Sequence, residues 1–499
     1  MPPMNEALNG ARSSKTPFLA HPQPRPGQSE MIADATLALS ERGFHVAAAP
    51  TGIGKTAAAL AAAVEVARQR SVRTHVLFLT GRQSQHKIVV DTVRKINANL
   101  PGEDYPLRVV DVIGRESMCE VLDPFTGRCM CETGSEEATK FERKESLKSF
   151  ILHQPRHVEE TLVRAKSVGV CAWQICRSTV KEADILVCDY NHVFAEQVRE
   201  SSLPAMGVTL QNSLIIIDEA HNLPDRIRMT MERVITPTIV RNAAMELEEH
   251  MGNLENAVKR DPSPSTTQLL EAVRWSFEVI KAYRAKLTAR FSTYHETTPE
   301  EEELRVEIDD FTGLLHTACD EVEGLTGQMR ISTTGETTQH PAKEDRLAQL
   351  ASTLFTVQVE AESDEETSEP DAHRVGHILQ SVHRFGQTTA LCIVFSPKGR
   401  EGKLTMHLLD PGLVSKPVFE QSGGSLLMSG TLYPPEMYAH LLALPANNTT
   451  TKAYPSPFAA KRRPVVVGSN VTTKYTERGA SNTQRIRNHI QGLLDASPG

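Results

Sequence analysis

Residues 44–56 read Phe-His-Val-Ala-Ala-Ala-Pro-Thr-Gly-Ile-Gly-Lys-Thr. The apolar part, 44–50, predicts a short buried strand, and the Ala-rich stretch from Thr56 to Arg68 predicts a helix. Between them lies the pattern A-x4-G-K-T, a phosphate loop with Ala in place of the usual first Gly. Glycines let backbone N–H groups curl around phosphate oxygens at a helix N-terminus. The stretch therefore predicts a nucleoside triphosphate site, and the alternative is a chance glycine turn before a helix.

Each position of this loop has an expected role in binding a nucleotide. Lys55 would reach the β- and γ-phosphates, and the hydroxyl of Thr56 would bind Mg²⁺. The backbone of Thr51, Gly52 and Gly54 would surround the phosphate oxygens. ATP with Mg²⁺ is therefore the expected ligand of the loop.

A second apolar stretch, 214–217, runs into Asp-Glu-Ala-His at 218–221. Four apolar residues predict a buried strand that places Asp218 at its carboxyl end, where it can bind Mg²⁺ directly or through water. Glu219 would orient or deprotonate the attacking water. The alternative is an ordinary acidic pair at a helix N-terminus. Beside the phosphate loop, the pair predicts a nucleoside triphosphatase. The expected catalytic residues are Lys55, Asp218, Glu219 and His221.

Strands and helices alternate along much of the chain. Further short apolar strands are predicted at 74–80, 107–113, 183–190 and 213–221. This alternation predicts an α/β fold with a mostly parallel sheet that helices cover on both faces. The region from about 233 to 383 is polar and helical in period, which predicts a helical insertion. Beyond the insertion, strands are predicted at 388–396, 403–410, 424–432 and 464–469. We expect the first two of these to form a pair.

Composition bounds the class of protein. The chain has 499 residues and a mass of 55.0 kDa, more than one hydrophobic core supports. Its 39% hydrophobic and 23% charged residues are typical of a globular protein and exclude a largely disordered one. No apolar run approaches the roughly 20 residues of a membrane span, and the N-terminus lacks the apolar core of a signal peptide. We expect an intracellular, cytoplasmic protein without a membrane partner, associated with the nucleoid if it is prokaryotic.

The net charge of −8 is unevenly distributed along the chain. Residues 296–310 carry eight acidic residues and one Arg, and residues 360–371 carry seven acidic residues and no Lys or Arg. Each segment thus has a charge of −7, which leaves the remainder of the chain at +6. A basic groove for nucleic acid is therefore compatible with the acidic total.

Five of the eight cysteines lie between residues 119 and 176. In an intracellular chain such clustering indicates metal binding rather than disulfide bonds. Four thiolates suit a 4Fe–4S cluster and also Zn²⁺, and their spacing does not choose between the two. Cys188, Cys319 and Cys392 are expected to be small buried hydrophobic residues. The clustered cysteines are Cys119, Cys129, Cys131, Cys171 and Cys176.

The sequence at 213–223, Ser-Leu-Ile-Ile-Ile-Asp-Glu-Ala-His-Asn-Leu, resembles the DEAH-box motif of the XPD/DinG group of superfamily 2 DNA helicases. Other segments resemble motifs of that family in the family's order. The resemblance runs from about residue 20 to the end of the chain. These segments are 25–28, 77–87, 114–119, 171–173, 183–194, 427–432, 456–458 and 465–475.

The resemblance implies a RecA-like motor domain that is interrupted by an iron–sulfur domain and a helical arch and is followed by the start of a second RecA-like domain. The first motor domain is the one that contains the phosphate loop. The implied boundaries are 1–24 for a lead-in, 25–106, 183–232 and 385–445 for the first motor domain, 107–182 for the iron–sulfur domain, 233–384 for the arch and 446–499 for the second motor domain.

The resemblance also implies an ATP-dependent DNA helicase that moves 5′ to 3′ on single-stranded DNA, acts on forked duplexes and serves DNA repair. Arg25 and Gln28 would bind the adenine. Trp173 and Tyr190 are candidates for stacking on bases, and the alternative is that they belong to a core. The expected DNA-binding residues are Arg82, Gln85, Arg115 and Asn191.

The same family uses four cysteines to hold a 4Fe–4S cluster. By position, Cys119 and Cys171 resemble its first and last ligands. Cys129 and Cys131 are the candidates for the middle ligands, and Cys176 is the substitute if one of them is not used.

The end of the chain departs from the family pattern. A motor of this type needs two RecA-like lobes, with ATP between them and an arginine finger from the second. The family carries that arginine well beyond the Ser-Gly-Thr-Leu motif, whereas here residues 433–499 alone follow it. We therefore expect an incomplete second lobe and doubt unwinding by this chain alone. The alternative functions are a non-motor single-stranded-DNA-binding protein that uses ATP as a switch, and a nuclease fusion, which no extra carboxylate cluster supports.

Overall fold

The computed structural model describes residues 16–102, 105–119, 131, 137–327, 345–358, 369–399, 401–458 and 467–496. The chain divides into two compact units, Met1–Pro455 and Ser456–Gly499. In chain order, the strands of the described residues are β1 (Phe44–Ala48), β2 (His75–Leu79), β3 (Val109–Asp111), β4 (Ile185–Cys188), β5 (Ser213–Asp218), β6 (Arg233–Ile235), β7 (Leu304–Val306), β8 (Leu391–Ser396), β9 (Lys403–Leu408), β10 (Ser425–Ser429) and β11 (Thr449–Ala453).

The α-helices fill the connections between these strands. They are α1 (Gln28–Ser40), α2 (Lys55–Gln69), α3 (Gln83–Asn99), α4 (Arg115–Met118), α5 (Glu137–His153), α6 (Val158–Val168), α7 (Ala172–Thr179), α8 (Asn191–Phe194), α9 (Glu196–Ala205), α10 (Leu223–Met231), α11 (Pro237–Arg260), α12 (Pro264–Thr297), α13 (Ile308–Gly327), α14 (Arg346–Leu354), α15 (Asp371–Phe385), α16 (Gly412–Gln421), α17 (Pro435–Leu441) and α18 (Ala480–Ala496).

A seven-stranded sheet forms the centre of the first unit, in the order β11-β1-β10-β5-β2-β4-β3. Every pair of neighbouring strands in it is parallel. The predicted α/β fold with a mostly parallel sheet is confirmed. Because the strands are parallel, the loops at their carboxyl ends all lie along one edge, which is where open α/β sheets bind ligands.

Alternate residues of the central strands enter two different hydrophobic cores. In β5, Leu214 and Ile216 belong to a core with α1, α2 and α3, whereas Ile215 and Ile217 belong to a larger core on the other face. Successive side chains of a strand point to opposite faces of a sheet. The continuous apolar run of β5 is therefore the signature of a strand buried on both faces.

The insertion between β5 and β10 contains both helices and a small antiparallel sheet. Helices α11 and α12 pack against each other, and α13, α14 and α15 pack around them. The sheet has the order β6-β9-β8-β7, and β8 and β9 form the predicted strand pair. The boundary expected at residue 385 assigns β8 and β9 to the first motor domain. In the structure they pair with β7 and β6 and therefore belong to the sheet of the insertion.

The end of the first unit also differs from its expected boundary. Strand β11 joins the parallel sheet by pairing with β1 from Phe44–Thr449 to Ala48–Ala453. The unit therefore extends to Pro455 rather than ending at residue 445.

The second unit, taken alone, contains helix α18. The side-chain amide of Asn482 bonds both backbone groups of Thr472, donating to its carbonyl oxygen at 2.6 Å and accepting from its N–H at 3.1 Å. Half of the strand predicted at 464–469 lies outside the described residues, and its described half, 467–469, is not strand.

Candidate nucleotide and DNA site at the carboxyl edge of the sheet

The phosphate loop connects β1 to α2 as the sequence predicts. Gly52 and Gly54 have φ angles of 96° and 85°, in the region that favours glycine. The Nη1 of Arg25 donates to the carbonyl of Gly52 at 2.9 Å, and the Nε2 of Gln28 donates to the carbonyl of Gly54 at 3.0 Å. The two residues expected to bind adenine thus hold the backbone of the loop. Thr51 lies in the same loop, next to Gly52.

Gly54 is required at its position for a second reason. A Cβ there would lie 2.3 Å from the Nε2 of Gln28, so any other residue would displace this amide from its bond to the loop. Gln28 is 5% exposed, and its Oε1 accepts from the N–H of Arg25 at 3.0 Å. Both amide atoms of Gln28 are therefore already bonded within the protein.

Asp218 ends β5 and faces the phosphate loop. Burial, followed by the negative charge of Glu219, raises the pKa of Asp218 to about 6, whereas the N–H of Glu219 and the charge of Lys55 act in the opposite direction. The N–H of Glu219 donates to Asp218 Oδ1 at 3.0 Å. A buried carboxylate near Lys55, at the edge where Thr56 lies in the first turn of α2, fits a divalent cation well because the cation would compensate its charge.

The next two functional side chains are joined to β10 by hydrogen bonds. Glu219 has the left-handed backbone conformation, with φ 47° and ψ 43°. The hydroxyl of Ser429 donates to Glu219 Oε2 at 2.9 Å and lies 2.7 Å from His221 Nδ1. Because the hydroxyl has one proton, Nδ1 of His221 must be the donor in the second bond. The N–H of Thr431 also donates to Ser429 Oγ, at 3.2 Å.

Tyr190 has a role that the sequence did not indicate. It is 2% exposed, and its hydroxyl donates to the backbone carbonyl of Asp218 at 2.5 Å. Burial and the charges of Asp218 and Glu219 raise the pKa of this phenol. The interpretation that Tyr190 stacks on bases is wrong, because the ring is buried below Gly81 and supports the strand end instead.

Two neighbouring cavities hold three of the four expected DNA-binding residues. The first, of about 450 Å³, is lined by Arg82 and Gln85 together with Glu219 and His221. The second, of about 310 Å³, is lined by Arg82 and Asn191. Polar groups that could contact DNA thus adjoin the carboxylate expected to act on ATP.

Arg115, the fourth of these residues, lies at the cysteine segment. Its guanidinium is 5.3 Å from the centre of the Trp173 ring, and that of Arg177 is 4.1 Å from the same centre. Trp173 is half-buried and packs against the large core. Since two cations lie on the indole, the structure uses Trp173 to hold arginines, and it does not present an open ring to a base.

Three cysteines come together as a group of potential metal ligands among the described residues. The sulfur atoms of Cys119, Cys131 and Cys171 all lie within 4.8 Å of one another. Those of Cys119 and Cys131 are 3.3 Å apart, well beyond the roughly 2.05 Å of a disulfide bond. Such convergent thiol groups fit a metal or an iron–sulfur cluster, and Cys129 lies outside the described residues.

The other described cysteines lie outside this group. Cys176 is buried in α7, and burial, followed by the charges of Asp111 and Cys171, raises its thiol pKa. It is not part of the three-cysteine group. Cys188 and Cys319 are fully buried, as expected for small hydrophobic residues, whereas Cys392 is only partly buried.

The comparison with protein families matches residues 78–239 to DEAD_2. This match covers about a third of the chain. A segment of 101 residues is 30% identical to the Fanconi anemia group J protein homolog of Gallus gallus, over 20% of this chain and 8% of that protein. A segment of 210 residues is 25% identical to ATP-dependent DNA helicase chl1 of Schizosaccharomyces pombe, over 40% of this chain and 24% of that protein. The predicted resemblance to DNA helicases is confirmed for these matched segments.

The matched segments span at most 24% of the length of these two relatives. A solved structure entitled "XPD_Helicase" aligns with 95% of this chain and with 71% of its own length. The sequence identity is 16% and the TM-score is 0.47.

The segment that matches DEAD_2 contains most of the residues described here. It includes the expected DNA contacts, the three grouped cysteines and the Asp-Glu-Ala-His sequence, and it ends at residue 239, in the first turn of α11. The phosphate loop and Ser429 lie outside it. Ser429 belongs to the Ser-Gly-Thr-Leu sequence, but its bond to Glu219 depends on the pairing of β10 with β5, which the sequence does not indicate. No helix in the described part of the chain is long and apolar enough to cross a membrane.

Proposed function

We propose that this chain is the ATP-binding motor of a DNA helicase that moves 5′ to 3′ along single-stranded DNA and opens forked duplexes in DNA repair. The observation that carries the proposal is the hydrogen-bonded set of Glu219, His221 and Ser429 between two neighbouring strands. It adjoins the phosphate loop on one side and the cavity with Arg82 and Gln85 on the other. A change at the nucleotide can therefore reach a polar DNA groove through a few bonded groups.

The roles of the nucleotide residues follow from their positions. Lys55 would bind the β- and γ-phosphates, and Thr56 and Asp218 would hold Mg²⁺, whose charge would offset that of the phosphates. Glu219 accepts a proton from the attacking water or orients it. Ser429 and His221 hold the Glu219 carboxylate in place, so that its position depends on β10.

The DNA residues would bind a single strand through its backbone. Arg82 supplies charge to phosphates, and Gln85 and Asn191 supply polar contacts. The hydroxyl of Thr80 donates to Gln85 Oε1, which fixes that side chain at the entrance of α3. Arg115 would extend the positive surface toward the cysteine segment.

Cys119, Cys131 and Cys171, with Cys129 as the fourth ligand, would hold a 4Fe–4S cluster. Such a cluster supplies cross-linking to a small domain, because the free energy of metal binding becomes free energy of folding. Residues 107–182 form this domain in the proposal, and residues 233–384 form an arch that frames the path of the strand.

The test is strand separation on two forked duplexes that differ only in carrying a 5′ or a 3′ single-stranded tail. The assay compares the 499-residue chain with a longer version that continues through a second motor domain, each with Mg²⁺ and ATP. The proposal predicts that the longer version opens the 5′-tailed fork and that Glu219→Gln stops it. ATP binding without strand separation by either version would favour the non-motor alternative.

A further inference from the structure

A buried chain of polar groups joins β1 to the last strand of the first unit. His45 is 1% exposed, and its Nε2 lies 2.8 Å from the hydroxyl oxygen of Tyr454. That hydroxyl donates to Asp34 Oδ2 at 2.9 Å. Since the proton of the hydroxyl is used there, Nε2 of His45 must donate to Tyr454. The Nδ1 of His45, 2.8 Å from the hydroxyl oxygen of Thr450, then accepts a hydrogen bond.

Lys452 adds two ion pairs to this chain. Its Nζ lies 2.7 Å from Asp34 Oδ2 and 2.8 Å from Glu30 Oε1, and it also lies 5.3 Å from the centre of the Tyr454 ring. Glu30 is in the first turn of α1, the turn that begins at Gln28. The side chains of β11 therefore fix the start of this helix.

The start of α1 in turn holds the phosphate loop. Arg25 and Gln28 donate to the carbonyls of Gly52 and Gly54. These two bonds give the carbonyl oxygens of Gly52 and Gly54 partners within the protein and tie the loop to the start of α1. Lys452 pairs in register with Ala47, close to the point where β1 runs into the loop.

We propose that Asp34, Lys452 and Tyr454 are positioning residues that keep the phosphate loop in its phosphate-binding conformation. The proposal rests on the proposed function, in which this loop binds a triphosphate. A loop with two positive-φ glycines has many conformations open to it, and ordering it on binding costs free energy. Fixing α1 at β11 supplies that order before the ligand arrives.

The experiment measures equilibrium affinity of the 499-residue chain for Mg²⁺-ATP and for inorganic tripolyphosphate, well below the unfolding temperature of every variant. Tyr454→Phe removes the hydroxyl and keeps the ring, and Asp34→Asn removes the charge. Thr451→Val is the matched control, because it removes a hydroxyl of β11 that bonds Glu436 outside the chain of groups. Lys452→Arg is the conservative variant that keeps both ion pairs.

We expect Tyr454→Phe and Asp34→Asn to weaken both ligands about tenfold, and Thr451→Val and Lys452→Arg to stay within about twofold of the parent chain. Parent affinity for both ligands in both folded test variants would overturn the proposal. So would a loss confined to ATP, since the shape of the loop affects the base-free ligand equally. If the parent chain binds neither ligand, the proposed function fails and this inference fails with it. If Lys55→Ala weakens binding but Tyr454→Phe and Asp34→Asn do not, the inference alone fails.

Discussion

His45 is a neutral side chain held inside the sheet. Burial lowers its pKa to about 4, opposed by the charge of Asp34 and aided by that of Lys452. A histidine in the unfolded chain has a pKa near 6.5. Its contribution to stability is therefore complete above about pH 6.5 and is lost as the pH falls from there toward 4, because the unfolded state binds the proton first.

The variant His45→Gln tests the direction of this pH dependence of stability. Between pH 7 and pH 5 we expect the parent chain to lose about 2 kcal/mol more of its free energy of unfolding than the variant does. Urea unfolding at several pH values measures the difference, and the variant corrects for all other titrating groups. Parallel pH profiles of the two proteins would contradict the assignment of a buried neutral imidazole.

Tyr283 in α12 places a hydroxyl in an apolar core. The side chain is fully buried, its ring lies edge-on to Phe311 at 6.1 Å, and its hydroxyl has no hydrogen-bond partner in the part of the chain that the structure describes. Burying an unpaired hydroxyl costs free energy, so removing the hydroxyl alone removes that cost. Removing the whole ring instead leaves a cavity.

We therefore expect Tyr283→Phe to keep or raise the free energy of unfolding, and Tyr283→Ala to lower it by about 3–5 kcal/mol. Chemical denaturation measures both changes. A loss above about 1 kcal/mol in Tyr283→Phe would show that the hydroxyl has a partner, such as a buried water molecule.

The cysteine segment gives a prediction at the scale of a small domain. Anaerobically purified protein should be brown and contain about four iron and four sulfide per chain if the cluster is 4Fe–4S. Cys131→Ser and Cys171→Ser should remove the colour, because their sulfur atoms belong to the convergent group. Cys176→Ala should keep it, because its sulfur atom is not part of the convergent group.

Cys392→Ser, on β8 of the insertion, serves as the control for general oxidation. Loss of the colour in Cys176→Ala but not in Cys129→Ser would show that Cys176, and not Cys129, is the fourth ligand. Stoichiometric zinc without sulfide would contradict the iron–sulfur assignment.

The parallel sheet could be predicted from the sequence because its strands are continuous apolar runs, such as Leu214–Ile217, that alternate with helices along the chain. The sequence also placed the residues of the phosphate loop and the Asp-Glu-Ala-His sequence at strand ends, where parallel topology brings them together. It did not predict that β8 and β9 pair with β6 and β7. Pairing between strands far apart in the chain depends on contacts that local patterns do not encode.

The same reason applies to individual side chains of the site. Arg25 and Gln28, which the resemblance predicts to bind adenine, also bond the carbonyl groups of the phosphate loop, which local sequence does not reveal. Tyr190 looked like a stacking residue because its type suits that role, and only its burial reveals a different one. The position of Ser429 beside Glu219 follows from the sheet order β10-β5.

The charge of the whole molecule should govern its binding to DNA. The chain outside the two acidic segments carries +6, so a basic groove can coexist with a net charge of −8. Binding to single-stranded DNA should weaken steeply with salt, because bound phosphates release counterions. Arg82→Ala should weaken binding and lower the slope of log affinity against log salt concentration by about 0.7, the value of one phosphate contact.

Arg305→Ala is the matched control, since Arg305 is an exposed arginine on β7 that pairs with Glu307 in the insertion. Fluorescence anisotropy with a labelled single strand at several salt concentrations gives both slopes. Equal slopes for the parent chain and Arg82→Ala would remove Arg82 from the DNA path.

The central claim is that the first unit binds ATP through its phosphate loop. The most direct measurement is equilibrium binding of Mg²⁺-ATP to the 499-residue chain and to Lys55→Ala, with single-strand binding of both proteins measured in parallel. Removing a preorganised positive charge from the phosphates should weaken ATP at least tenfold and leave DNA binding without nucleotide unchanged. Unchanged ATP affinity in folded Lys55→Ala would contradict the account.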